Sequence, residues 1–215
     1  MKNQNGNVLL YILIAVALMA ALAYAISGDS RGNQADRMEE VRSELFASEI
    51  IAHIRDAERV VFQMMQWGTD IDDLRFETPG HMNYSINTTN QVYHPSGGGL
   101  IPFHEKNDLF DSSGSRGFFF KNIMSFEWSP SSATDLVFSF VDLDSAICLE
   151  IGNRLFGQTA IYPLDPSTPN GIAQFSGTST SEFQNSYCPD CVGKKGGCVS
   201  FGADNNAFYY IIAQR

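Results

Sequence analysis

From Val8 to Ile26 the chain carries no charged residue. Nineteen residues at helical rise span roughly 28 Å, about the thickness of a bilayer core. The run is rich in Ala and Leu and has no Pro and no internal Gly, so helix is its expected state. Three physical objects carry such a stretch: a membrane anchor, a signal peptide removed after export, or the assembly helix of a filament subunit. Ala23-Tyr24-Ala25 satisfies the small-x-small pattern of a signal cleavage site. Against that reading, the run is longer than a usual signal core, and Lys2 is the one positive side chain before it. Arg31, Arg37 and Arg42 follow it, interleaved with Asp29, Asp36, Glu39 and Glu40, so the positive-inside rule does not orient it cleanly. The short leader is expected on the cytoplasmic side. That gives an inner-membrane, single-pass chain with its C-terminal domain periplasmic or extracellular.

A second helical pattern follows the stretch 27–33. Met38, Val41, Leu45, Ser48, Ile51 and Ile54 recur at spacings of three and four, and Val61, Met64 and Met65 continue them. The spacing predicts an amphipathic helix from near Asp36 to Gln66, with Asp36 as N-cap and Gly68 as C-cap. Gly28 and Gly32 are expected to loosen the chain between the two helical patterns.

A short leader with one Lys that ends in Gly6, followed by an apolar helix running into a domain, resembles type IV prepilins and type II secretion pseudopilins. The resemblance covers roughly residues 1–67. It implies cleavage by a prepilin peptidase between Gly6 and Asn7, methylation of the new amino terminus, and packing of residues from about Asn7 to Ile54 into a filament core. The family's fifth mature residue is usually Glu, which pairs with the amino terminus of a neighbouring subunit. Tyr11 stands there instead, a departure that points to a minor subunit at a filament tip. The implied partners are other pilin-like subunits, the prepilin peptidase and membrane lipid. A plain single-pass anchor or a secreted ligand-binding domain remains the alternative.

The expected organisation is therefore a leader at 1–6, a transmembrane and assembly helix at 7–27, a Gly/Ser break and amphipathic helix at 28–67, and an extracytoplasmic domain at 68–215. In that domain, strands are predicted near 82–86, 91–93, 118–121, 123–128, 136–141 and 208–212, and a helix over 142–156 capped by Asp142 or Asp144. The expected fold is α+β: a long N-terminal helix, transmembrane half plus amphipathic half, packed on an antiparallel sheet, with a disulfide-stabilised C-terminal part.

Cys148, Cys188, Cys191 and Cys198 are an even set, three of them bunched. The C-x2-C spacing also suits zinc, but an extracytoplasmic domain and the loop 192–197 favour disulfides. Four cysteines allow three pairings. Cys148–Cys188 with Cys191–Cys198 is the pairing expected. A redox reading of the C-x2-C is weaker, because no βαβ pattern precedes it.

His53, His81, His94 and His104 form no metal-binding pattern, and His53 is expected among charges on the long helix. His94, His104 and Glu105 could meet at a metal, but lone loop histidines usually do nothing specific; Asp70, Asp72 and Asp73, or Asp142 and Asp144, could hold calcium, but helix capping and loop solvation account for them. The triplets beginning at Asn83 and Asn87 match the glycosylation pattern, which is common by chance. There is no nucleophile elbow, P-loop or dinucleotide fingerprint. A net charge of -10 disfavours nucleic acid. No catalytic residue, metal or cofactor is expected, and the chain is not expected to be an enzyme.

Overall fold

The computed structural model describes residues 6–104, 117–176, 181–202 and 205–214. Helix α1 is Gly6–Gln66. The chain divides into two compact units, Met1–Arg42 and Ser43–Arg215. In the first unit, the described side chains from 10 to 23 are all exposed.

The second unit is built on a sheet. Its strands are β1 (Gly117–Phe126), β2 (Asp135–Val141), β3 (Tyr162–Pro163), β4 (Ser181–Phe183), β5 (Gly196–Ser200) and β6 (Asn206–Ala213). Helix α2 is Ser145–Phe156. The strand order is β3-β5-β6-β2-β1-β4. The central pairs β1–β2, β2–β6 and β5–β6 are antiparallel, whereas the outer pairs β1–β4 and β3–β5 are parallel.

Period-two alternation divides the buried side chains between two cores. On β2, Leu136, Phe138 and Phe140 join a cluster with Ile50, Ile54, Ala57, Val61 and Met64 of α1 and with Ile147 and Ile151 of α2. Val137 and Val141 face the other way, into a cluster with Phe126, Phe175, Phe183 and Tyr209. Aromatic rings fill this second core: Tyr209 stacks on Phe126 and on Phe175, each at 5.6 Å between centroids. Both sheet faces are covered, which is why β2 and β6 are buried along their whole length.

Local chemistry fixes the helix ends. At the end of α1, Thr69 N–H donates to Met64 C=O and Gly68 N–H to Met65 C=O, a Schellman arrangement with Gly68 at φ +97°. At the start of α2, the Asp144 carboxylate accepts from Ala146 N–H at 3.0 Å and Ile147 N–H at 3.1 Å. Polar clasps hold residues 43–66 to the rest of the second unit. Lys195 Nζ donates to Glu58 at 2.6 Å, Tyr210 hydroxyl donates to the same carboxylate at 3.0 Å, and Arg154 Nη1 donates to Ser48 Oγ at 2.6 Å.

The structure corrects the expected fold. The sheet is mixed, because its short edge strands run parallel to their neighbours. The long helix packed on the sheet is not found as such: the helical residues that pack there are 43–66, in a different unit from residues 6–42. The transmembrane half is also overturned. Among the described residues no helix is long and apolar enough to cross a membrane. The described apolar side chains of α1, residues 10–23, cover roughly 21 Å of rise against a core of about 30 Å. The expected single-pass placement in an inner membrane falls with it.

Three local expectations also change. The helix assignment runs through Gly28 and Gly32, since about 1 kcal/mol per Gly does not by itself interrupt a hydrogen-bonded ladder. The buried stripe of α1 is Ser43, Phe46, Ala47, Ile50, Ile51, Ile54 and Ala57, while Met38, Val41 and Leu45 are exposed. Residues 82–86 form turns, and 91–93 contribute only a bridge from Gln91 to Arg75.

Candidate functional site

The most exposed apolar surface among the described residues is on α1. Tyr11 is 65 % exposed, Leu13 62 % and Met19 73 %, with Leu10, Ile12, Ile14, Val16, Leu18 and Leu22 similarly open. Large apolar side chains occur all round this part of the helix, so no rotation of it hides them. A folded chain seldom shows so contiguous an apolar surface unless something covers it.

The expected processing residues lie at the head of this surface. Gly6 and Asn7 are helical in their backbone, and Asn7's side chain and residues 1–5 lie outside the described residues. Tyr11 presents a neutral phenol at the position where the resemblance calls for a carboxylate. Ala25, at the alternative cleavage pattern, has a helical backbone and a side chain outside the described residues.

Two disulfides are present, and they overturn the expected pairing. Cys148 of α2 joins Cys198 of β5, and Cys188 joins Cys191 across a single short turn. All four cysteines are fully buried. The two bonds fall in different cores, Cys148–Cys198 between α2 and the sheet and Cys188–Cys191 on the opposite face. Chain spacing cannot reveal this division, because it depends on which face of β5 Cys198 occupies.

Gln158 is a brace that sequence reasoning missed. It is buried, and its amide spans the backbone of Cys198: Cys198 N–H donates to Oε1 at 2.8 Å, and Nε2 donates to Cys198 C=O at 2.7 Å. Nε2 also donates to Ala160 C=O at 2.8 Å. Gly152 of α2 leaves the room, for a Cβ there would run into Gln158 Oε1. A Gln six residues after a helical Gly carries no sequence signal for such a contact.

The histidines do not converge on an ion, and no group of three His, Cys, Asp or Glu able to hold a metal occurs among the described residues. His53 sits in α1 with its ring 5.4 Å from Phe103 and 6.1 Å from Phe138. Burial lowers its pKa from 6.5 to about 4, with Asp56 opposing the shift. His53, expected among charges, is thus half-buried and neutral. Its neighbourhood is a cleft of about 510 Å³ between α1 and residues 98–104, where Glu49, Asp56, Arg59 and His104 are the charged or titratable neighbours. Glu105 lies outside the described residues. Asp142 is buried with φ +67°, and Asp144 caps α2. Asp70 Oδ1 accepts from Asp72 N–H at 3.0 Å, a turn contact and not a cation shell. Asn83 C=O accepts from Gln91 Nε2, and Asn87 occupies a left-handed turn position at φ +50°.

No family model, no curated protein and no solved structure matches this chain.

Proposed function

We propose that this chain is a minor pilin- or pseudopilin-like structural subunit of a filament, and not an enzyme. The observation that carries the reading is the exposed apolar surface of α1 from Leu10 to Leu22. Burying such side chains is worth about 25 cal/mol per Å², so subunits that bring these helices together gain a large driving force. The surface is apolar on all sides, which suits a helix surrounded by others better than one laid in a single groove. The partners are then other pilin-like subunits, and a prepilin peptidase acts between Gly6 and Asn7 and methylates Asn7. Tyr11 fits a tip or initiating position. A neutral phenol offers no charge to the amino terminus of a neighbouring subunit, so this chain would not take a repeating place in the shaft.

Intact-mass measurement of the protein from the cells that produce it tests the processing step. The expected mature chain begins at Asn7 with one added methyl group. A chain beginning at Met1 in cells with an active prepilin peptidase, or at Ile26, would sink the reading.

A further inference from the structure

From Thr78 to His104 the chain carries no Asp, Glu, Lys or Arg. The whole chain is 18% charged, so a stretch of that length would ordinarily hold about five charges. The run lies within the second unit. Positive and negative side chains balance over Met1–Arg42, so the net charge of -10 falls entirely on Ser43–Arg215. An uncharged surface is thus set into the acidic unit.

Residues 80–90 of this run form a lobe of short turns with a fixed shape. Tyr84 N–H donates to His81 C=O at 3.0 Å, Ile86 N–H to Asn83 C=O at 3.0 Å and Asn90 N–H to Asn87 C=O at 2.9 Å. Asn87 turns the chain at φ +50°. Gln91 is fully buried and closes the lobe from within: its Nε2 donates to Asn83 C=O at 3.1 Å and to Ile86 C=O at 3.3 Å. At Gly97 a Cβ would run into the carbonyl oxygens of Gln91 and Thr88, so the returning chain packs directly on the lobe. Arg75, whose N–H donates to Asn90 C=O, has its guanidinium on Glu77. Held in this frame, Met82 is 87 % exposed and Ile86 51 %. Ser85, Asn87 and Thr89 are exposed around them. A backbone already fixed loses little further entropy when something docks on it.

The chemistry of the lobe selects its occupant. A charged partner would shed water here with no ion pair in return. Amides and hydroxyls both donate and accept. A face built from them, with apolar side chains between, is complementary to itself, as a face of one charge is not. Two copies of it can therefore satisfy each other about a twofold axis. Two acidic units repel one another, and they do so least where each presents its uncharged lobe.

We propose that the lobe 80–90 is a self-association face, on which a second copy of this chain docks through the same lobe. The inference concerns the second unit and does not rest on the filament reading. The test uses the full chain in a non-ionic detergent, as an equal mixture of unlabelled and isotope-labelled copies, with photo-reactive benzoylphenylalanine in place of Ser85. Irradiation is expected to give mixed-isotope adducts that join this position to residues 80–90 of the other copy. Met82→Glu sets like charges face to face and lowers the adduct yield by at least about tenfold, and Met82→Lys does the same. Both variants keep the thermal midpoint, because Met82 is exposed. Mixing the Glu variant with the Lys variant restores adducts between them. No adduct between copies, or adducts only with segments other than 80–90, overturns the proposal. A yield that Met82→Glu leaves unchanged, or one that does not return on mixing, overturns it as well. Adducts to α1 do not enter this readout, so the proposal and the filament reading fail separately.

Discussion

Gln158 holds the backbone of Cys198 by both its N–H and its C=O. Gln158→Leu keeps much of the volume but leaves both groups buried without partners, so it lowers unfolding free energy by about 2–4 kcal/mol. Urea titration with the disulfides intact measures this. His53 gives the domain a specific pH response. The unfolded chain takes a proton near 6.5, while the folded chain resists until about 4. The unfolded state therefore binds more protons between those values, and stability falls as pH drops through that window. The stabilisation is complete above 6.5. The loss by pH 4 is about 2 kcal/mol, after reduction for the partial exposure of the ring. His53→Leu removes that part of the slope, as thermal midpoints between pH 4 and 7 would show. The sequence places His53 among charges, which is correct for its helical neighbours. The rings of Phe103 and Phe138 come from distant segments that local spacing does not reveal.

At the scale of elements, what was legible was what local chemistry decides. Asp144 caps α2 and Gly68 ends α1, because each satisfies backbone groups within its own turn. Gly68→Ala forces a Cβ onto a left-handed backbone and costs about 1 kcal/mol, measurable by urea titration. β2 and β6 were legible from their β-branched and aromatic runs. The α1 stripe was legible in its second half, where Ile51, Ile54, Val61 and Met64 are buried as their spacing predicts, but not before it: Met38, Val41 and Leu45 are exposed, and Phe46, Ala47 and Ile50 are buried beside the stripe instead. Leu45→Glu therefore changes stability by less than about 0.5 kcal/mol, whereas Ile50→Ala costs about 2–4 kcal/mol. β4 and β5 also escaped notice, one because it has three residues and the other because Gly196 and Gly197 open it. Their place in the sheet comes from parallel and long-range pairing, which leaves no period-two signature in so short a run.

At the scale of the molecule, the two disulfides divide the work of closing the fold. Cys148–Cys198 spans 50 residues and Cys188–Cys191 spans 3. Chain entropy makes the long bridge worth about 4 kcal/mol and the short one about 2. Replacing Cys148 and Cys198 together by Ser should therefore lower the urea midpoint distinctly more than replacing Cys188 and Cys191. The even cysteine count was legible as disulfides, but the pairing required the sheet. The filament account rests on the other unit, where the apolar side chains of α1 lie open. Its most direct measurement places a photo-reactive amino acid at Ile14 or Met19 in the full chain and irradiates the cells that produce it. The account predicts covalent products in which the α1 segment of this chain is joined to the N-terminal helix of another pilin-like subunit, with products from both positions. Irradiation that joins neither position to any such helix, while the protein is present and folded, would contradict it.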